Sequence, residues 1–299
     1  FDDYATRGPQ MKTQELTIDR HMGYAFDFKV RELKNEPTLQ YIRDSWLMAM
    51  AEMDSEQRAT WEAIYDKKNE EFLKNPPVGK DLLRWKYQRY VKEYCRTIRS
   101  VDEQVGRLLD YLEEKGVLDN TVIVYTSDQG FLLGEHGLYD KRFMYEESFR
   151  TPLIISCPSL VKKHSVCKEL VQNIDLAPTF LSLAGVEVPK EMSGRSLLPL
   201  FKNGKAENWR NELYYHFYDY PAVGSVRKHD GIRTKRYKLI HWYGEGSGND
   251  EAIDFWELYD LKKDVMEVNN VYDNPKYVKV REALTVQLEK LRKDVGVTE

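Results

Sequence analysis

Nothing in the sequence approaches the run of about 18 apolar residues that a membrane-crossing helix needs. No surplus of one charge stands out: 45 Lys and Arg face 49 Asp and Glu, a net charge of −4. The cations are interspersed with the anions. That argues against a nucleic-acid partner, which would call for a broad basic face. Cysteine is scarce. Cys95, Cys157 and Cys167 are odd in number, show no metal-binding spacing and leave the redox compartment open. No initiating Met and no signal-peptide pattern are present; the chain opens Phe1-Asp2-Asp3-Tyr4. Internal repeats and long low-complexity segments are missing too. What remains is 299 residues, 41% hydrophobic and 31% charged, enough for a sizeable globular core. The 20 Tyr and 6 Trp serve cores first and sugar-binding surfaces second.

Residues 1–36 read as polar and irregular, with a turn at Gly8-Pro9. Over 38–74, Leu39, Ile42, Trp46, Met50, Met53, Trp61 and Ile64 recur at helical steps, and Asn75-Pro76-Pro77 ends the stretch. Tyr87, Tyr90, Tyr94, Ile98, Val101, Val105, Leu108 and Leu112 form one apolar stripe along a long helix that stops at Gly116. Cys95 lies beside that stripe and reads as a packing residue. The runs 121–126 and 152–155 read as short buried strands. Asp175 is placed to cap a helix over 176–184, before Gly185. Helix, strand, loop, helix and strand in this order predict an α/β fold. Beyond about residue 205 the pattern changes. Residues 213–218, 231–234 and 237–242 are strand candidates, Thr234-Lys235-Arg236 a hairpin turn, and 275–293 a closing helix. We expect 1–205 to be one part of the α/β domain and 206–299 a small antiparallel subdomain.

The loop after the strand at 121–126 gathers the chemistry. It reads Thr126-Ser127-Asp128-Gln129-Gly130-Phe131-Leu132-Leu133-Gly134-Glu135-His136-Gly137. Ligands of open α/β sheets bind beyond the carboxyl ends of strands. Asp128 and Gln129 offer adjacent oxygen donors of the kind a hard cation takes. His136, Lys141 and Arg142 follow closely. A carboxylate, an imidazole and two cations in one loop suit an anionic substrate. A lone Asp-Gln pair would read as a turn; its neighbours make the difference.

This segment resembles the signature of the type I sulfatases, the formylglycine-dependent enzymes of the alkaline phosphatase superfamily. The resemblance implies that Asp128 and Gln129 bind calcium. It implies that Lys141 contacts the sulfate and that His136, in Gly-Glu-His-Gly, lines the substrate pocket. Tyr145-Glu146 and Arg150-Thr151-Pro152 follow at the family's spacing. Further matches are Asp175-Leu176-Ala177-Pro178-Thr179, Gly194-Arg195-Ser196-Leu197-Leu198-Pro199, Ile232-Arg233-Thr234 with Tyr237-Lys238-Leu239-Ile240, and Glu257-Leu258-Tyr259-Asp260-Leu261. They cover roughly 80–299; residues 1–79 match loosely. The implied fold is the C-terminal part of an alkaline-phosphatase-like sheet with flanking helices, plus the antiparallel subdomain and its closing helix.

One family element is missing. The nucleophile arises from Cys or Ser in Cys/Ser-x-Pro-x-Arg, and no such motif occurs in this sequence. Cys95-Arg96-Thr97-Ile98-Arg99 comes nearest, but Thr97 stands where Pro should. The paired N-terminal Asp ligands of calcium are missing as well. The expectation is therefore a sulfatase fragment, inactive alone, with the formylglycine on an N-terminal portion that acts as its partner. The wording Asp128-Gln129-Gly130 with Tyr139-Asp140-Lys141-Arg142 resembles bacterial enzymes that desulfate glycans, including N-acetylglucosamine-6-sulfate units. That implies a sulfated carbohydrate substrate and a periplasmic or secreted enzyme. Lys141, Arg142, His136, His229 and His241 are the candidate substrate contacts, with Arg227 and Trp242 nearby in the subdomain. Two alternatives stay open. One is a phosphoester or phosphonate hydrolase of the same superfamily, against which Gln129 in place of His argues. The other is a non-catalytic glycan-binding module.

Overall fold

The structure, a computed structural model, describes residues 3–30, 33, 40–221, 223–248 and 251–297. The chain begins with α1 (Gln10–Thr13), α2 (Gln40–Glu52), α3 (Ser55–Lys74) and α4 (Gly79–Glu114). Next come β1 (Ile123–Thr126), β2 (Leu132–Leu133), β3 (Tyr139–Asp140), α5 (Glu146–Phe149) and β4 (Leu153–Ser156). Then follow α6 (Leu176–Leu183) and α7 (Leu198–Phe201). The last part holds β5 (Glu212–Phe217), β6 (His229–Thr234), β7 (Tyr237–Gly244), β8 (Ile253–Asp260) and α8 (Val278–Asp294). Two compact units are distinguished. The first contains Gln14–Arg107 and Leu132–Asp140, the second Asp3–Thr13, Leu108–Phe131 and Lys141–Glu299.

In the first unit, the single helical stretch expected over 38–74 is two helices. Asp54 breaks it by accepting hydrogen bonds from the Glu56 and Gln57 amides, at 2.9 and 2.8 Å, as the N-cap of α3. Leu39, the first apolar position of that stretch, lies outside the described residues. Part of the segment read as polar and irregular is core: Leu16, Phe28 and Val30 are fully buried. An irregular backbone can be buried only if its carbonyls find donors. Here Lys86 Nζ donates to Asp19 O at 2.7 Å and Arg89 Nε to Phe28 O at 2.9 Å. The expected long helix is present as α4, and Gly116 follows it with a φ of 66°. Its stripe is less buried than expected, with Ile98 50% and Val101 43% exposed. Cys95 is exposed with them and does not pack, a correction to the sequence reading.

In the second unit, β1 pairs antiparallel with β4, Val124 opposite Ile155. These strands lie where expected but are not buried. Tyr125 is 40% and Ile154 62% exposed, because among the described residues each strand pairs only with the other. The antiparallel subdomain and its closing helix are present, with strand order β5-β6-β7-β8 and the β6–β7 hairpin turning at Lys235-Arg236. β8 was visible in the sequence only as a motif. One face of this sheet sends Ile232, Leu239 and Leu258 into a core with Leu284 and Leu288 of α8. Each such buried side chain is worth roughly 1.5–3 kcal/mol. The alternate residues of β7, Lys238, Ile240 and Trp242, are also fully buried. On that face Lys238 Nζ donates to Met144 O at 2.6 Å. A Cβ on Gly231 would meet Met144 Sδ at 2.6 Å, so the 144 segment lies hard against the strands.

Asp175 does not cap α6 with its side chain. Its carboxylate is fully buried and bound by both ends of the Arg210 guanidinium, one contact being 2.7 Å. It also accepts from the Arg195 amide at 2.8 Å. A Cβ on Gly194 would lie 1.9 Å from Ile174 O, which explains glycine before Arg195.

Candidate functional site

The chain leaves the carboxyl end of β1 at Ser127. Gly130 then runs against α5: its amide donates to Ser148 O at 2.9 Å, and an added Cβ would lie 2.2 Å from Glu147 O. Only glycine permits that approach, and it fixes the two residues before it. Asn173 Nδ2 donates to Asp128 O at 2.7 Å and holds the turn from the other side. Asp128 is exposed and Gln129 half-buried, so neither oxygen is buried away from a ligand.

Lys141 and Arg142 reach the same place from another loop. Of the nine non-glycine residues with positive φ among the described residues, three are His136 (57°), Asp140 (72°) and Arg142 (91°). Backbone held in so sparsely populated a region costs about 1–3 kcal/mol per residue and is a mark of functional loops. Tyr215 OH helps to hold it, donating to Arg142 O at 2.9 Å.

A cavity of about 920 Å³ is lined by Asp128, Gln129, Lys141 and Arg142, together with Asn173, Arg150 and Arg233. The structure thus brings four of the sequence candidates to one opening in the second unit. Four cations line it, a composition suited to an anion. Arg150, Arg233 and Asn173 were not among the candidates. Arg150 and Arg233 stood in matched motifs, whereas nothing in the sequence marked Asn173.

Glu146 lies in the wall of this cavity and organises it. Its carboxylate is 3.1 Å from Arg233 Nη2 and 2.9 Å from Lys238 Nζ. Burial would raise its pKa, but the charges of Lys238 and Arg233 more than offset that and hold it down at about 2. Lys238 stood in a matched motif but was not a site candidate, because a lysine inside a strand reads as solvent-facing.

Three candidates remain. His136 belongs to the first unit, where its side chain is buried in the Gly134–Gly137 turn. His229 is fully buried and stacks on Trp242 with ring centroids 4.1 Å apart and planes at 28°. Its Nδ1 bonds Arg227 O at 2.8 Å, while Nε2 meets no partner. Burial lowers its pKa to about 4. His241 stacks on Trp256 at 4.0 Å, bonds Asp254 Oδ1 at 2.9 Å and takes a contact from Arg292 at 3.0 Å. Neither histidine lines the cavity.

Among the described residues no group of three or more His, Cys, Asp or Glu could hold a metal. Asp128 and Gln129 have the right donor chemistry for a hard cation but are too few for the roughly 6–8 oxygens calcium takes. They fit such an ion as part of a ligand set.

Two family descriptions match: "Sulfatase" over residues 20–186 and "N-sulphoglucosamine sulphohydrolase, C-terminal" over residues 134–294. An N-acetylglucosamine-6-O-sulfatase of Bacteroides thetaiotaomicron is 45% identical over 295 residues, which are 98% of this chain and 51% of that protein. A multifunctional alkaline phosphatase superfamily protein of Trinickia caryophylli is 35% identical over 196 residues, 62% of this chain and 36% of that protein. A solved structure described as a complex with its substrate D-glucosamine-2-N,6-O-disulfate superposes with a TM-score of 0.87. It is 44% identical and covers 98% of this chain and 58% of that one. The chain spans about half the length of that Bacteroides relative.

Proposed function

Since this chain belongs to the sulfatase family, with the α/β fold of the alkaline phosphatase superfamily, we propose that it serves in the hydrolysis of sulfate esters on glycans. The observation that carries the reading is the convergence of Asp128, Gln129, Lys141 and Arg142 on one cavity. Asp128 and Gln129 would hold part of the shell of a calcium ion. Bound calcium supplies charge neutralisation at the sulfate oxygens. Lys141 binds the sulfate and opposes the charge that grows on it, with Arg142 beside it. Arg233, held by Glu146, and Arg150 add positive potential at the rim. His136 is proposed as a further catalytic and substrate-contacting group on the strength of its motif.

The nucleophile is outside residues 1–299, because no Cys/Ser-x-Pro-x-Arg occurs in them. A formylglycine on an N-terminal portion of the enzyme fills that role in this reading, and the 299 residues alone are inactive. A periplasmic or secreted location follows from the same resemblance. No helix among the described residues is long and apolar enough to cross a membrane.

The substrate favoured is a sulfated glucosamine unit, since a curated relative and a solved structure that each align along nearly the whole chain are described by such sugars. The test is turnover of N-acetylglucosamine-6-sulfate by the 299 residues combined with the N-terminal portion. Asp128→Ala should abolish calcium-dependent turnover. If that variant keeps its metal content and its activity, the assignment of Asp128 fails.

A further inference from the structure

A second opening, of about 350 Å³, adjoins the cavity at Glu146, Arg150 and Arg233. It is lined by Arg150, Arg233, Lys235, Arg236 and Lys262, with Glu146 as its carboxylate. Three of these cations are matched. Arg233 pairs with Glu146 at 3.1 Å, Lys235 with Glu169 at 2.6 Å and Arg236 with Asp260 at 2.8 Å. Arg150 and Lys262 have no ion-pair partner among the described residues, and both are exposed. The cleft therefore carries uncompensated positive charge in a defined concavity. Glu146, Arg150 and Arg233 line both openings, so cleft and cavity share one wall.

We propose that this cleft is a secondary subsite for a polyanionic oligosaccharide. It takes a sulfate or carboxylate on a sugar other than the one whose sulfate ester lies in the large cavity. The inference rests on the sulfatase reading and adds to it a preference for chains over single sugars. Solvated cations gain little from one small anion in water. Two anions on one chain act differently, because holding the first raises the effective concentration of the second. The exposed Val265 beside the cations gives an apolar surface for a sugar ring.

Lys235 and Lys262 line the cleft but not the cavity, so they separate the two sites. The test is calorimetric titration of the 299-residue chain, wild type and K235E/K262E, with a heparin tetrasaccharide, a neutral chitin tetrasaccharide and sodium sulfate. Wild type should bind the sulfated tetrasaccharide with an affinity that falls as salt rises. The double variant should bind it about tenfold more weakly. The single variant K262A, at an exposed position, should show a smaller loss in the same direction. Equal binding by wild type and both variants would overturn the subsite. So would displacement of the tetrasaccharide by sulfate at equal ionic strength, which would mark a free-anion site instead. The sulfatase reading fails separately. If the enzyme completed with its N-terminal portion leaves N-acetylglucosamine-6-sulfate intact while the tetrasaccharide still binds the cleft, that reading alone is lost.

Discussion

Lys238 Nζ stands 2.7 Å from Glu267 Oε1, and neither side chain is exposed to solvent. The same ammonium stands 2.9 Å from Glu146 and donates to Met144 O at 2.6 Å. Glu267 also accepts from the Glu146 amide at 2.6 Å. A buried cation thus ties β7 to the segment that carries Glu146 into the cavity wall.

Removing one partner from such a buried group costs about 3–5 kcal/mol, because the others are left uncompensated. Lys238→Met should lower stability by that order in urea unfolding, since Glu267 would then be buried without its cation and Glu146 would keep Arg233 alone. Adding Glu267→Gln should recover part of the loss. A Lys238→Met protein within about 1 kcal/mol of wild type would show that the network contributes little.

His229 predicts a pH dependence. Its folded pKa of about 4 lies below the ordinary imidazole value of 6.5, so the unfolded chain binds the extra proton first. Stability is then full above about 6.5 and falls as pH drops toward 4, by on the order of 3 kcal/mol. His241 and His21, also lowered by burial, act in the same direction. Glu146 adds a later limb. Its folded pKa of about 2 gives stability that is present above its ordinary value and lost as pH falls toward 2. Unfolding midpoints from pH 8 to 4 should show the slope, and His229→Phe should flatten it without abolishing it. An unchanged slope would mean that burial does not shift the imidazole's pKa on folding.

Lys141 and Arg142 line the same cavity but should not be equivalent. In the enzyme completed with its N-terminal portion, Lys141→Ala should lower kcat by roughly 100-fold or more, as loss of a group that meets transition-state charge does. Arg142→Ala should act mainly on KM. Equal effects, or a larger one at Arg142, would reverse the assignment.

The 299 residues alone should show no metal-dependent turnover of an aryl sulfate or a 6-sulfated sugar. Addition of the N-terminal portion should restore it. Turnover by the isolated chain above a mock preparation would reveal a nucleophile within residues 1–299.

Elements with strong local signals were legible. The stripe from Tyr87 to Leu112, the turn at Lys235-Arg236 and the last helix all appear where the periodicity puts them. The Asp128–Arg142 loop was legible as a gathering of charge. Long-range partners were not. Asp175 looks like a helix cap in sequence, yet Arg210, 35 residues away, takes its carboxylate. Residues 14–30 look like a loop because their backbone is satisfied by Lys86 and Arg89 rather than by a periodic ladder. Strand burial was overestimated at Tyr125 and Ile154, because an apolar run shows what could be covered and not what covers it.

The stack of His229 on Trp242 has an optical consequence. A protonated imidazole accepts an electron from an excited indole and quenches it; a neutral one does so far less. Trp242 is fully buried and its Nε1 is held by Glu257 at 3.1 Å, so its emission should be shielded from solvent quenchers. Acid that charges His229 should therefore shorten the lifetime of that one tryptophan before the chain unfolds. The fold contains its own fluorescent gauge of the charge beneath the sheet.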